Sequence, residues 1–163
     1  MEQKYCPFCG IALVLPPEYP HPIPQCPSCN YLGFNSPKPV VLTLVYDHDR
    51  ILLGRSPHFT PGAYALLAGH VELGETAEAA AVREVQEESG VVCEITHYMG
   101  SFPLVSRGQL CFTFAARYLS GEPQAADDVE DVQWFDKNAE LPVFGSIARR
   151  VIDLFRSDSG ARL

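Results

Sequence analysis

From Val40 onward the chain switches between two hydrophobic periods. Val40 to Tyr46 is rich in β-branched and apolar residues and predicts a strand. Asp47-His48-Asp49 predicts a turn, and Ile51 to Leu53 opens a second strand. Tyr64 to Ala68 is a shorter apolar run that stops at Gly69. From Thr76 to Ser89 the spacing becomes helical, with Gly90 as the C-cap. Val91 to Met99 and Gln109 to Leu119 predict two further strands, and Asp131 to Phe135 a short one. Phe144 to Arg156 predicts a closing amphipathic helix with Ile147, Val151, Ile152 and Phe155 on one side. Strands and helices alternate loosely, so the expected class is α+β, with a mixed sheet between helices.

The first 37 residues follow another logic. Nine of the 14 prolines lie within residues 1–39, which excludes a helical or central-sheet segment. Tyr5, Phe8, Ile11, Leu13, Val14, Leu15, Tyr31, Leu32 and Phe34 are nevertheless expected to be buried, and so small a segment needs a staple. Cys6-Pro7-Phe8-Cys9-Gly10 and Cys26-Pro27-Ser28-Cys29-Asn30 supply one. Two Cys-x-x-Cys turns can set four thiolates in a tetrahedron, the geometry Zn²⁺ takes readily. Four thiolates leave no open position for water, so the expected role is structural. Gly10 and Asn30 stand where a positive φ is often required. A redox-active pair would not explain two matched turns. The expected division is therefore a zinc ribbon at 1–37 and a second domain at 38–163. Cys93 and Cys111 sit in apolar stretches and are expected to be buried, reduced thiols.

Charge narrows the function. Twelve Lys and Arg against 20 Asp and Glu give −8 at pH 7. A generic grip on DNA or RNA phosphate needs a basic face, and anionic membranes select for one as well. No Lys or Arg occurs between Cys9 and Cys26, so the ribbon is not built to bind phosphate. No n-region with an apolar h-region opens the chain, and no apolar run nears the roughly 20 residues that span a bilayer. The expected location is the cytoplasm.

The informative stretch runs from Gly69 to Val91. At about 100° per residue, Glu84, Glu87 and Glu88 fall within an arc of about 100°. Ala79, Val82 and Val85 are expected on the opposite, buried face. Like charges on one helix face repel. They make sense if a hard cation neutralises them, and Mg²⁺ or Mn²⁺ takes such oxygen ligands. A plain solvated acidic face is the other reading. Arg83 inside the run, and Glu72 and Glu75 in the Gly-rich turn before it, weigh against that.

This stretch resembles the Nudix box, Gly-x5-Glu-x7-Arg-Glu-U-x-Glu-Glu-x-Gly-U, where U is a bulky apolar residue. Gly69, Glu75, Arg83, Glu84, Val85, Glu87, Glu88, Gly90 and Val91 fill every defined position. The resemblance implies a Nudix α/β/α sandwich and a hydrolase that cleaves a nucleoside diphosphate linked to another group. It implies that Glu84, Glu87 and Glu88 hold the divalent cation, joined by the Gly69 carbonyl. Arg83 and Glu75 would form a buried pair that orients them. A general base from Glu84, Glu88 or a later loop would take a proton from the attacking water. Asp131, three residues before Trp134-Phe135, is the expected later acid, with Glu130 behind it. Asp127, Asp128, Glu130 and Asp131 read equally well as a plain acidic loop. The resemblance also implies a homodimer.

Leu66 to Glu72, the ribbon, and Ser146-Ile147-Ala148 resemble the branch of NADH pyrophosphatases. Related ribbon-bearing enzymes act on FAD and ADP-ribose. That branch carries Ser-Gln-Pro-Trp-Pro-Phe-Pro-x-Ser downstream of the box, where this chain has Gly100-Ser101-Phe102-Pro103-Leu104-Val105-Ser106. It also carries Phe where this chain has His70. Dinucleotide cleavage stands as the expected class, and NADH itself is left open. His70, Glu72, Phe102 and Ala148 are the candidate substrate contacts, Phe102 being equally readable as core. The expected ligand is a small nucleotide, with loops 55–63, 100–108 and 120–131 setting its identity. A nucleotide sensor and a remover of nucleotide caps from RNA are the alternatives.

Overall fold

The computed structural model describes residues 3–16 and 23–159; Pro17, Pro20 and Pro22 of the proline-rich segment lie outside them. The chain splits into two compact units, Met1–Pro37 and Lys38–Leu163.

The second unit holds strands β1 (Lys38–Asp47), β2 (Arg50–Arg55) and β3 (Leu67–His70), then helix α1 (Ala77–Ser89). Strands β4 (Val92–Leu104), β5 (Gln109–Ser120) and β6 (Asp131–Asp136) follow, and helix α2 (Ser146–Ser159) closes it. The sheet runs β4-β5-β1-β2-β6, with β3 also on β1. Only β1 and β5 pair in parallel among these ladders, so the sheet is mixed, as expected. One edge of β1 is shared. Its second half pairs with β2 through Val45 and Leu52, and its first half with β3 through Val41 and Gly69.

Alternation along the strands separates two cores. Leu44, Ile51 and Leu53 pack with Ala148, Val151 and Ile152 of α2. Val45 and Leu52 point the other way, onto Val85 of α1 and onto Val91 and Ala116. Helices on both sheet faces give the α/β/α sandwich. Cys93 and Cys111 are buried free thiols, as expected. Among the described residues, no helix is long and apolar enough to cross a membrane.

Several boundaries depart from the sequence pattern. The third strand is Leu67–His70, because Tyr64 and Ala65 make only isolated bridges, to Val143 and Gly54. Strand β4 continues to Leu104 through register shifts that keep it on β5. Phe144 lies before α2, since Gly145 takes a φ of 87° and the helix starts at Ser146.

Helix α1 begins and ends where its caps dictate. The Thr76 hydroxyl accepts the Ala79 N–H at 3.2 Å. Gly90, at φ 68°, donates its N–H to the Gln86 carbonyl at 2.8 Å. Its buried face differs from the one expected. Ala80, Ala81 and Val85 are buried together with Glu84 and Glu88, whereas Ala79 is exposed. The helix leans on β3, so the strip at i, i+4 and i+8 from Ala80 faces protein and carries two of the carboxylates inward.

The first unit is two matched knuckles. Cys6 N–H donates to Ile11 O and Cys26 N–H to Tyr31 O, both at 2.8 Å. Gly10 N–H returns to Cys6 O at 2.9 Å and Asn30 N–H to Cys26 O at 3.1 Å. Gly10 and Asn30 have φ of 72° and 60°, as their positions after the second cysteines require. Val14 and Gln25 join the knuckles by two backbone hydrogen bonds. The expected hydrophobic burial does not occur. Tyr5, Phe8, Ile11, Val14, Leu15, Leu32 and Phe34 are exposed, and Leu13 and Tyr31 are half-buried. Two knuckles are too small to enclose a core, and among their described side chains only those of Cys6 and Cys26 are buried.

Candidate active site and metal centre

The site grows from Arg83. Its Nε and Nη2 grip the two Glu75 oxygens at 2.9 and 3.0 Å. Its Nη1 donates to Glu84 at 2.8 Å and to Glu87 at 3.0 Å, and Nη2 also reaches the His70 carbonyl at 2.9 Å. One planar guanidinium thus ties the turn before the helix to two glutamates on it. The pairing holds the Glu75 carboxyl below its ordinary range and raises the guanidinium further.

Glu84 and Glu88 lie against β3. Glu88 accepts the Ala68 N–H at 2.9 Å. Burial, opposed by that N–H but reinforced by the nearby charges of Asp128 and Glu84, pushes its carboxyl up to about 9. Burial also raises Glu84, against the pull of Arg83. Glu84 rests directly over Gly69. A Cβ on that glycine would stand 1.9 to 2.1 Å from the Glu84 carboxylate, so close approach, rather than backbone conformation, demands glycine there. The carboxylates of Glu84, Glu87 and Glu88 do not converge on one point. Among the described residues, only the four cysteines bring their ligand atoms that close together.

Two further acids come from the loop after β5. Its Gln124 and Ala126 N–H groups donate to the Ser89 and Glu88 carbonyls at 2.9 and 3.1 Å, filling open acceptors at the end of α1. That docking brings Asp127 and Asp128 beside Glu84 and Glu88. Asp131 is held elsewhere. Its carboxylate accepts from the Tyr64 hydroxyl, takes the Gln133 amide at 2.8 Å and faces Arg55 at 3.9 Å. Glu130 is tied through its N–H to the Arg55 carbonyl at 2.8 Å.

A cavity of about 640 Å³ opens over Glu84, Asp127 and Asp128. Gly69, His70, Glu72, Glu84 and Ala148 line it, so three of the four candidate substrate contacts meet there. Phe102 does not. It packs on the α2 core, with the Arg150 guanidinium 5.2 Å from its ring centre. The cavity also takes Phe59, Arg107, Asp127, Asp128 and Phe144, which sequence reasoning did not single out for binding. Three of the loops expected to choose the ligand supply Phe59, Arg107 and the two aspartates. Phe144 carried no such signal, since it read as the first residue of an amphipathic helix.

At the ribbon, the four Sγ atoms lie within 4.8 Å of one another, with Cys6–Cys29 at 3.5 Å and Cys9–Cys26 at 3.4 Å. Tetrahedral Zn–S bonds of about 2.3 Å put sulfurs about 3.8 Å apart, so the cluster fits a bound metal. The Cys29 and Ser28 amides favour the Cys26 thiolate, and its thiol falls to about 6. The glutamate site offers carboxylate and carbonyl oxygen only. Such donors suit a hard divalent cation, and their mutual repulsion gives it something to relieve.

A family model described as the NUDIX domain matches residues 36–155. The chain belongs to the NUDIX family. NAD-capped RNA hydrolase NudC of Pseudomonas aeruginosa is 41% identical over 156 residues, covering 93% of this chain and 55% of that protein. The protein of the same name from Pseudomonas fluorescens is 37% identical over 158 residues, covering 94% and 56%. This NUDIX chain thus spans about half the length of the curated relatives it matches. The crystal structure of a NUDIX hydrolase from Nitrosomonas europaea has a TM-score of 0.82 at 22% identity, over 97% of this chain and 94% of that one. An ADP-ribose pyrophosphatase from Streptococcus suis has a TM-score of 0.62 at 20% identity, over 75% and 92%. These likenesses show the NUDIX fold.

Proposed function

We propose that this protein hydrolyses the diphosphate bond of a dinucleotide in a divalent-cation-dependent reaction, releasing AMP and a second phosphate product. The observation that carries the reading is Glu84 over Gly69, with Asp127 and Asp128, in one nucleotide-sized cavity, and Glu88 buried one turn further along α1 against Ala68. NAD(H), FAD and ADP-ribose are the candidate substrates. NAD comes first, because relatives aligned over nearly all of this chain are named NAD-capped RNA hydrolases.

Glu84, Glu87, Glu88 and the Gly69 carbonyl would hold Mg²⁺ or Mn²⁺. A cation there screens the diphosphate and acidifies an attacking water. Arg83, anchored on Glu75, keeps Glu84 and Glu87 aimed and restrains the His70 backbone. Asp127 and Asp128 act on the Glu84 and Glu88 carboxyls and line the cavity, whereas Asp131 is engaged with Tyr64, Gln133 and Arg55, so one of the two is our candidate for the proton-accepting loop acid. His70, Glu72 and Ala148 line the substrate's space. The four cysteines would hold a structural Zn²⁺. The free thiols fit the reducing cytoplasm, and a homodimer is carried forward as the expected assembly.

The relatives' name favours a second reading, removal of a nucleotide cap from RNA. A net charge of −8 gives the RNA chain little to hold, but Arg107 and His70 in the cavity suit capture of the cap alone. A pure nucleotide sensor has no need of these carboxylates.

The test is a panel of NADH, NAD, FAD, ADP-ribose, diadenosine polyphosphates, dNTPs and an NAD-capped RNA, each with Mg²⁺ or Mn²⁺. AMP release from a dinucleotide, lost when the divalent cation is omitted, is expected. No turnover alongside tight nucleotide binding would sink the hydrolase and leave the sensor. For the ribbon, elemental analysis is expected to give one zinc per chain. Cys26→Ser should lose it and open residues 1–37 to proteases, while leaving the circular dichroism of the NUDIX unit in place. Full zinc in that variant would overturn the site.

A further inference from the structure

We infer that Phe59 and Phe144 form a stacking platform for a flat heterocyclic base of the substrate, and that this pair sets which nucleotides the protein accepts. The ligand's identity rests on the hydrolase reading above; the platform rests on the structure. The two rings stack with centroids 4.7 Å apart and planes 18° from parallel. Both line the cavity that holds Glu84, Asp127 and Asp128. Neither belongs to any of the three hydrophobic clusters, whereas Phe102, Phe112, Phe114, Phe135 and Phe155 all do. Phe144 leaves 40% of its surface open. An aromatic pair that the core does not use, open to a cavity that also carries carboxylates and a guanidinium, is a surface awaiting another ring.

The platform is pre-set. Phe144 N–H donates to the Tyr64 carbonyl at 2.7 Å, and Val143 before it bridges to Tyr64. Gly145 at φ 87° and the start of α2 fix the other side. Phe59 closes a turn through its N–H to the Ser56 carbonyl at 3.1 Å. The rings come from two separate segments, yet each backbone is anchored where it enters the cavity. A ligand joining a flat base to a charged diphosphate would use the whole site: rings for the base, Arg107 and a cation on the carboxylates for the phosphates. His70 also lines the cavity, but its imidazole offers a smaller face.

The base could be adenine or the second base of a dinucleotide, and kinetics distinguish them. In Phe59→Leu/Phe144→Leu the leucines keep apolar volume and remove the ring faces. KM for NAD and FAD is expected to rise about tenfold, with kcat within twofold of wild type. If KM for ADP-ribose rises equally, adenine occupies the platform; if it is unchanged, the second base does. Phe144→Trp keeps a ring and is expected to retain the wild-type KM. Unchanged KM for all three substrates in the double variant, or a fall in kcat alone, would overturn the platform. Calorimetric titration with AMP and with nicotinamide mononucleotide separates this inference from the hydrolase reading. If wild type turns over nothing, the hydrolase fails. The platform then stands on a roughly tenfold weaker binding of either mononucleotide to the double variant, and falls if both bind equally well or neither binds wild type. Should the double variant not fold, Phe144→Leu alone, at an exposed position, gives the same readings at about threefold.

Discussion

Glu88→Gln is expected to lower kcat on the order of 10³-fold while making the metal-free protein more heat-stable at alkaline pH. The two effects share one cause. Glu88 is almost fully buried, faces Asp128 and Glu84, and is pushed up to about 9. An acid whose folded pKa lies above its unfolded value stabilises the fold at low pH. That contribution is lost as pH rises from about 4.5 toward 9. Glutamine has the same shape, its oxygen can accept the Ala68 N–H, and it carries no charge to bury. Thermal melts in magnesium-free buffer should therefore nearly coincide at pH 5. At pH 9 the variant should gain on the order of 1–3 kcal/mol. A kcat near wild type would remove Glu88 from the proposed machinery. A variant less stable at both pH values would make the carboxylate a structural group.

Gly69→Ala is expected to cut kcat/KM by two to three orders of magnitude by moving a carboxylate. Its backbone does not require glycine for φ, so the added methyl acts sterically. That methyl would overlap Glu84 at about 2 Å, and Glu84 would have to leave its place beside β3 and Arg83. Overpacking of this kind costs about 1–3 kcal/mol, which a folded domain can survive. The informative measurement is the rise in Tm on adding Mg²⁺, expected in wild type through binding linkage and much reduced in the variant. A full Mg²⁺-induced rise in Gly69→Ala would show that the cation does not need Glu84 where the structure holds it.

What the sequence made legible was whatever depends on local rules. Thr76 and Gly90 announce both ends of α1 because capping is a matter of a few neighbouring atoms. Gly10 and Asn30 announce their φ for the same reason. The carboxylate face of α1 was legible in its members but not in its direction. A helical wheel shows that Glu84 and Glu88 lie together, not that β3 packs against them. The hydrophobic residues of the ribbon misled because burial depends on how much chain is available to cover them. Asp131 and Phe102 were placed by spacing along the chain, whereas their neighbours are chosen by the sheet and by α2. Phe59 and Phe144 are about 85 residues apart, and only the finished fold stacks them.

The parallel pairing of β1 with β5 has a consequence for the order in which the protein can be made. Lys38 finds its partner Gln109 about 70 residues later. A ribosome releasing this chain at roughly 5–20 residues per second would hold β1 and β2 outside for several seconds before β5 appears. Throughout that interval β1 presents a bare edge carrying Val40, Val41, Leu44 and Val45, all buried in the finished protein. Substitutions that delay β5, such as a proline at Thr113, are therefore expected to reduce soluble yield during synthesis more than they reduce the Tm of the molecules that finish folding.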